Sequence, residues 1–245
     1  MLYWIIAFGL LGSIGSVAGS AVLLFFPCGI RNALLPSLVS YATGTLLGAA
    51  FIGMIPAALE QAEAKPVLLI ILAGIVGFFL LEKLVLWHHC ADTQCEVHGQ
   101  PGPLILIGDT FHNFVDGIVI AVAFMSSLPL GIATALAVIA HEIPQEVSDF
   151  AILLDNGYGR LRAFFLNGLS SLSTLPGALA AYYFLGESIQ AVPYMLAISA
   201  ASFIYIAMAD LIPGLHRQVS LRASLRQLIL LLAGIATIGF FHRGA

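Results

Sequence analysis

Charge is what this chain most lacks. Only 9% of its 245 residues are Asp, Glu, Lys or Arg, while 60% are hydrophobic. A soluble domain carries about 25% charged residues, so the scarcity excludes a soluble globular protein and leaves a polytopic integral membrane protein. Long polar stretches are missing too, so no second domain is expected and residues 1–245 read as one transmembrane domain. Cysteine is rare: Cys28, Cys90 and Cys95 do not make a disulfide framework. The opening Met1-Leu2-Tyr3-Trp4 has no basic n-region, so the first apolar run is expected to stay as a span rather than be cleaved. The absence with most chemical content is of positive charge. From Leu84 to Tyr158 there is no Lys or Arg.

What the chain does contain is apolar runs. A helix needs about 20 apolar residues to cross a bilayer. Eight runs qualify, at roughly 3–26, 36–59, 66–87, 103–125, 130–154, 161–185, 189–212 and 223–242. Pro, Gly and charged residues punctuate the joins. The expected fold class is therefore all-α, with eight transmembrane helices and both termini on one side. Placing the N-terminus outside puts Arg31, Lys83, Arg160, Arg162, Arg217, Arg222 and Arg226 in cytoplasmic joins and leaves Lys65 and Arg243 outside. Basic residues concentrate on the cytoplasmic side, so both termini are expected outside the cytoplasm.

Against this background the acids and histidines of spans four and five stand out. Span four carries Asp109, His112, Asn113 and Asp116; span five carries His141, Glu142, Gln145, Glu146 and Asp149. A charge at bilayer depth costs about 3 kcal/mol on insertion scales, so such residues mark a functional path. With no basic side chain nearby in sequence, a proton, a remote Arg or a bound cation must balance them. Residues three and four apart share a helix face, which groups His112, Asn113 and Asp116 with Asp109 one turn earlier. The same spacing aligns His141 with Gln145 and Glu142 with Glu146. Two facing ladders of N and O donors suit one or two divalent transition ions, with Zn²⁺, Fe²⁺ or Mn²⁺ ahead of Ca²⁺ or Mg²⁺. Pro144 has no N–H for the Ala140 carbonyl, and a freed carbonyl is tolerated where it lines a polar cavity.

Other features are weaker. Gly12, Ser16 and Ser20, beside Gly15 and Gly19, read as a helix-packing face. Spans two and seven share an Ile-Pro ending, Ile55-Pro56 and Ile212-Pro213, as an internal repeat produces. Asn167, Ser170, Ser171, Ser173 and Thr174 stripe span six, either bridging helices or lining the path. Asp210 and Glu82-Lys83 read as helix-end charges. The join at 88–102 holds His88, His89, Cys90, Asp92, Cys95, Glu96 and His98. It is either a loose collector of a borderline-soft ion or a polar loop of accidental composition.

His112-Asn113-Phe114-Val115-Asp116-Gly117 resembles the span-four motif of the ZIP (Zrt-/Irt-like) divalent-metal transporters. His141-Glu142-Ile143-Pro144-Gln145-Glu146, continuing through Ser148-Asp149-Phe150-Ala151, resembles their span-five signature, usually His-Glu-x-Pro-His-Glu. The resemblance implies a bacterial-type member in an inner membrane, with a 3+2+3 arrangement of eight helices and an inverted repeat. It also implies a binuclear midplane site. His112, Asp116, His141 and Gln145 would line one metal position; Asn113, Asp116, Glu142 and Gln145 would line the other, with Glu146 adjacent. The ion, zinc first and iron, manganese or cadmium as alternatives, is transported substrate moving toward the cytoplasm, not a cofactor. Divalent ions and membrane lipid are the expected partners, nucleic acid is not, and a homodimer is an allowed assembly. This chain departs from the pattern at Gln145, which replaces the second histidine, and in span two, where Ala49 and Gly53 stand in place of the acid and histidine of some members.

Two rival readings come from other classes. His141-Glu142 opens the zinc-protease motif H-E-x-x-H, but Gln145 stands where the second histidine is needed. A proton-coupled carrier of an anionic solute would want a basic residue or exposed helix N-terminus in the centre, and spans four and five have no Lys or Arg. The expectation is a transporter, not an enzyme.

Overall fold

The structure, a computed structural model, describes residues 1–89, 102–186, 188–217 and 220–243. Most of the metal-ligand-rich join at 88–102, including Cys90, Cys95 and His98, lies outside the described residues. Among the described residues the chain is helical, with no strand. Seven helices are long and apolar enough to cross a membrane. We number the helices α1 (Leu2–Phe25), α2 (Ala33–Gln61), α3 (Ala64–His89), α4 (Gly102–Ser126), α5 (Leu128–Asp155), α6 (Arg160–Ser171), α7 (Thr174–Gly186), α8 (Val192–Leu215) and α9 (Leu221–Arg243).

The run expected as a sixth span is thus two helices in succession, α6 and α7, each too short to cross alone. Pro176 explains the break. It has no N–H for the Leu172 carbonyl, which instead accepts from the Leu175 N–H at 3.1 Å. Proline also shapes α2 and α8. Each contains a six-residue π-helical segment, Ala49–Met54 and Ile206–Leu211, directly before its Ile-Pro pair. A proline ring crowds the carbonyl four residues back, and a widened turn there makes room for it. Pro144, by contrast, lies inside α5 without interrupting that helix.

Packing is reciprocal. The π segment of α2 packs on α8 and that of α8 packs on α2; α9 lies along α2 while α3 lies along α8. In the same way α1 lies on α5 while α6 and α7 lie on α4. An inverted repeat produces such paired contacts. The α1 face of Gly12 and Gly19 looks onto Ile120, Val138 and Ile143, consistent with packing.

Two glycine pairs set the closest approaches. A Cβ on Gly177 would stand 2.0 Å from the Phe114 carbonyl oxygen, and one on Gly117 1.9 Å from that of Thr174. Gly44 and Gly234 join α2 to α9 in the same manner. Backbone meets backbone there because no side chain intervenes. Gly177→Val is expected to destabilise the protein by about 3 kcal/mol, the upper range for overpacking, because the obstacle is backbone that cannot rotate away. A thermal unfolding midpoint in detergent equal to that of the wild type would refute this.

Candidate metal-transport site

The site grows from α4 and α5, which pack side by side with α6 and α7 across α4. Helical spacing alone stacks Asp109, His112, Asn113 and Asp116 over two turns of α4 and His141, Glu142, Gln145 and Glu146 over two turns of α5. Packing then decides which rungs meet.

Four of them converge. His112 Nε2 and His141 Nε2 are 3.2 Å apart, their rings at 88° to one another. Asp116 Oδ2 lies 3.2 Å from His141 Nε2 and 3.8 Å from His112 Nε2. Glu142 Oε1 lies 3.4 Å from His112 Nε2 and 3.6 Å from His141 Nε2. One ligand atom from each of the four residues falls within 4.8 Å of all the others. Asp116, His141 and Glu142 are buried, and His112 keeps 22% of its side chain exposed.

The proton count at this point favours a cation. His141 Nδ1 lies 3.1 Å from the Ala137 carbonyl, which can only accept, so Nδ1 carries the hydrogen. In the neutral ring that leaves Nε2 a bare lone pair, the form in which imidazole binds metal. Both oxygens of Asp116 and both of Glu142 are buried without a hydrogen-bond partner among the described residues. Buried acceptors facing one another without donors are costly. A divalent ion satisfies all of them at once. Mixed imidazole and carboxylate ligation suits Zn²⁺ or Fe²⁺ better than Ca²⁺ or Mg²⁺. Phe203 of α8 stands against the His141 ring at 6.1 Å and closes that side with apolar surface.

The other candidates lie on the adjoining rungs. Glu142, Asp109 and Glu146 make a second convergent group. Asn113 Nδ2 and Gln145 Nε2 both donate to Asp109 Oδ1, at 2.9 and 3.3 Å. Thr174 Oγ1 donates to Asn113 Oδ1 at 3.2 Å. Ser170 Oγ donates to Asp109 Oδ2 at 2.5 Å, and both Ser171 and Asn167 donate to the Glu146 carboxylate. In sequence Asp109 is only a further rung of its helix, and the α6 stripe suits bridging and lining equally. The signal for the stripe was its spacing, since 167, 170, 171 and 174 recur at helical intervals on one buried face. Asp210 is exposed, and Glu82 accepts a hydrogen bond from Tyr205 across α3 and α8, as suits peripheral charges.

Comparison with known proteins agrees in kind. The family profile described as ZIP Zinc transporter matches residues 88–242. The chain is 34% identical over 227 residues to zinc transporter ZIP13 of Pongo abelii, a match covering 84% of this chain and 66% of that protein. It is 37% identical over 136 residues to zinc transporter ZIP4 of Mus musculus, covering 56% of this chain and 20% of the relative. It is 36% identical over 155 residues to zinc transporter foi of Drosophila melanogaster, covering 60% and 22%. The chain thus spans just under two thirds of the first relative's length and about a fifth of the other two.

Proposed function

The chain belongs to the ZIP zinc transporter family, and we propose that it moves divalent transition-metal cations, zinc first, across a membrane toward the cytoplasm. The observation that carries this reading is the convergence of His112, Asp116, His141 and Glu142, with four buried carboxylate oxygens lacking hydrogen-bond partners among the described residues. No Lys or Arg from α4 or α5 is available to pair with them. An anionic substrate would meet only like charge there, whereas a cation meets ligands. Among transition ions, Fe²⁺, Mn²⁺ and Cd²⁺ are the alternatives to Zn²⁺.

In this reading α6 and α7 form one broken span, which makes eight crossings and puts both termini outside the cytoplasm, in a bacterial inner membrane. The π segments, which include Leu11–Gly15 in α1, and the break at Leu172 then fall inside spans one, two, six and seven, on both halves of the repeat. The join at 88–102 lies at the cytoplasmic mouth, where its histidines and cysteines gather or sense ions. Exposed Leu, Ile and Phe side chains on α3 and α9 face lipid or a second copy of the chain.

Purified protein in proteoliposomes, offered Zn²⁺, Fe²⁺, Mn²⁺, Cd²⁺, Mg²⁺ and Ca²⁺ singly, is expected to take up the transition ions and to exclude Mg²⁺ and Ca²⁺. The same panel with and without a pH gradient reads proton coupling. Uptake that ignores the identity of the divalent ion, or none above empty vesicles, would sink the proposal.

A further inference from the structure

We infer that the start of α6 is a binding site for an anionic phospholipid. The lipid phosphate meets Arg160 and Arg162, and an acyl chain runs along Leu161, Phe165 and Leu169.

The turn before α6 builds the place. α5 ends at Asp155, and Gly157, at φ 82°, takes the left-handed conformation that closes a helix. The Tyr158 N–H then donates back to the Leu153 carbonyl at 3.1 Å. This folds Tyr158 onto a buried cluster of Phe150, Leu153 and Ala163. The Arg162 guanidinium lies over the Tyr158 ring, 5.1 Å from its centroid, a cation–π contact. One cation of the site is therefore positioned from the core outward.

The electrostatics of this helix end are unbalanced. The Ala163 N–H donates to the Gly159 carbonyl, and no side chain caps the helix. The N–H groups of Arg160, Leu161 and Arg162 therefore have no partner within it. A helix N-terminus carries partial positive charge and is stabilised by acids, yet this first turn has no acid and two arginines. Neither guanidinium pairs with a carboxylate among the described residues. An anion is the missing partner, and phosphate matches both the guanidinium fork and the helix end.

Apolar surface decides which anion. Leu161, Phe165 and Leu169 recur every four residues along α6 and are all exposed, Leu161 by 83%. A Cβ on Gly168, beside Leu169, would meet nothing within 4 Å, so the row borders open space. Leu161 and Phe165 line an open recess together with Arg160, Arg162 and Phe164. The opposite face of α6 is committed to the metal site through Asn167, Ser170 and Ser171. Because α6 starts where the crossing of α5 ends, its arginines stand at headgroup level. A free phosphate would leave the apolar row in contact with water. An anionic phospholipid satisfies charge and row together.

Native mass spectrometry of the purified protein in detergent tests this, with phosphatidylglycerol and phosphatidylcholine of identical acyl chains. The wild type is expected to retain phosphatidylglycerol in preference to phosphatidylcholine, and an excess of inorganic phosphate should not displace it. Arg160→Gln with Arg162→Gln should weaken phosphatidylglycerol binding about 25-fold, at about fivefold per arginine near a membrane surface. Leu161→Ala with Phe165→Ala should weaken it with both arginines in place. All four side chains are exposed, so these variants should fold as the wild type does. Arg222→Gln removes a like charge at the start of α9 and should leave binding unchanged. Equal retention of the two lipids by the wild type would overturn the inference, as would binding that survives loss of both arginines. Displacement by inorganic phosphate would reduce the site to a simple anion site. A loss with Arg222→Gln as large as that from α6 would reduce it to attraction by net charge, and either result rejects a lipid site.

Discussion

Asp116→Ala abolishes zinc uptake, with a fall of at least about 100-fold at sub-saturating zinc. Asp116 is fully buried, and its Oδ2 stands 3.2 Å from one imidazole nitrogen and 3.8 Å from the other. Removing it takes away a ligand and one of the negative charges that make the site attractive to a cation. No neighbour can replace it, because the approach of α4 to α5 is set by helix packing and Glu142 already stands against both imidazoles. Folding should survive, since among the described residues the lost carboxylate accepts no hydrogen bond and meets only the two imidazoles and Glu142. Asp116→Asn separates the causes. It keeps the volume and one carbonyl ligand but not the charge, and it is expected to fall nearly as far. Near-normal zinc uptake by a monodisperse, well-expressed Asp116→Ala protein would remove the site from the transport path.

Glu142→Gln should separate stability from binding. In the zinc-free protein both Glu142 oxygens are buried acceptors without donors among the described residues, a cost of about 1–3 kcal/mol. A neutral amide of the same shape supplies donors of its own and relieves the crowding of carboxylates. The zinc-free variant is therefore expected to unfold at a higher temperature than wild type, by about 2–4 °C per kcal/mol for a chain of this size. Zinc should then reverse the order. A ligand at 100 times its Kd stabilises by about 2.7 kcal/mol, and the wild type gains this while the variant, lacking the residue common to both groups, gains little. The measurement is thermal unfolding in detergent with chelator and with a zinc series. A Glu142→Gln protein whose midpoint rises with zinc as steeply as wild type would show that Glu142 is not a ligand.

Both predictions use residues visible in the sequence, for a specific reason. Spacing along one helix is a local property, so the sharing of a face by His112 and Asp116, or by Glu142 and Glu146, follows from 3.6 residues per turn. The scarcity of charge, the apolar runs and the membrane class follow from composition as directly. The family too was legible, because two motifs of fixed spacing lie in the fourth and fifth runs in order.

What tertiary structure decided is how the helices are rotated against one another. Glu142 stands with His112, Asp116 and His141, and both Asn113 and Gln145 donate an amide N–H to Asp109. The ladders themselves are compatible with either arrangement, since a small rotation of α5 about its axis exchanges neighbouring rungs. The choice is made by long-range contacts: the glycine pair that presses α7 onto α4, and the Ser170, Ser171 and Asn167 side chains that hold Asp109 and Glu146. Helix breaks divide in the same way. Pro176, Pro56 and Pro213 mark in sequence where backbone bonds must fail, but whether the chain answers with a break, as at Leu172, or with a π turn, as in α2 and α8, depends on what packs alongside. A missing N–H is a fact of one residue; the repair of the carbonyl it leaves behind is a property of its neighbours.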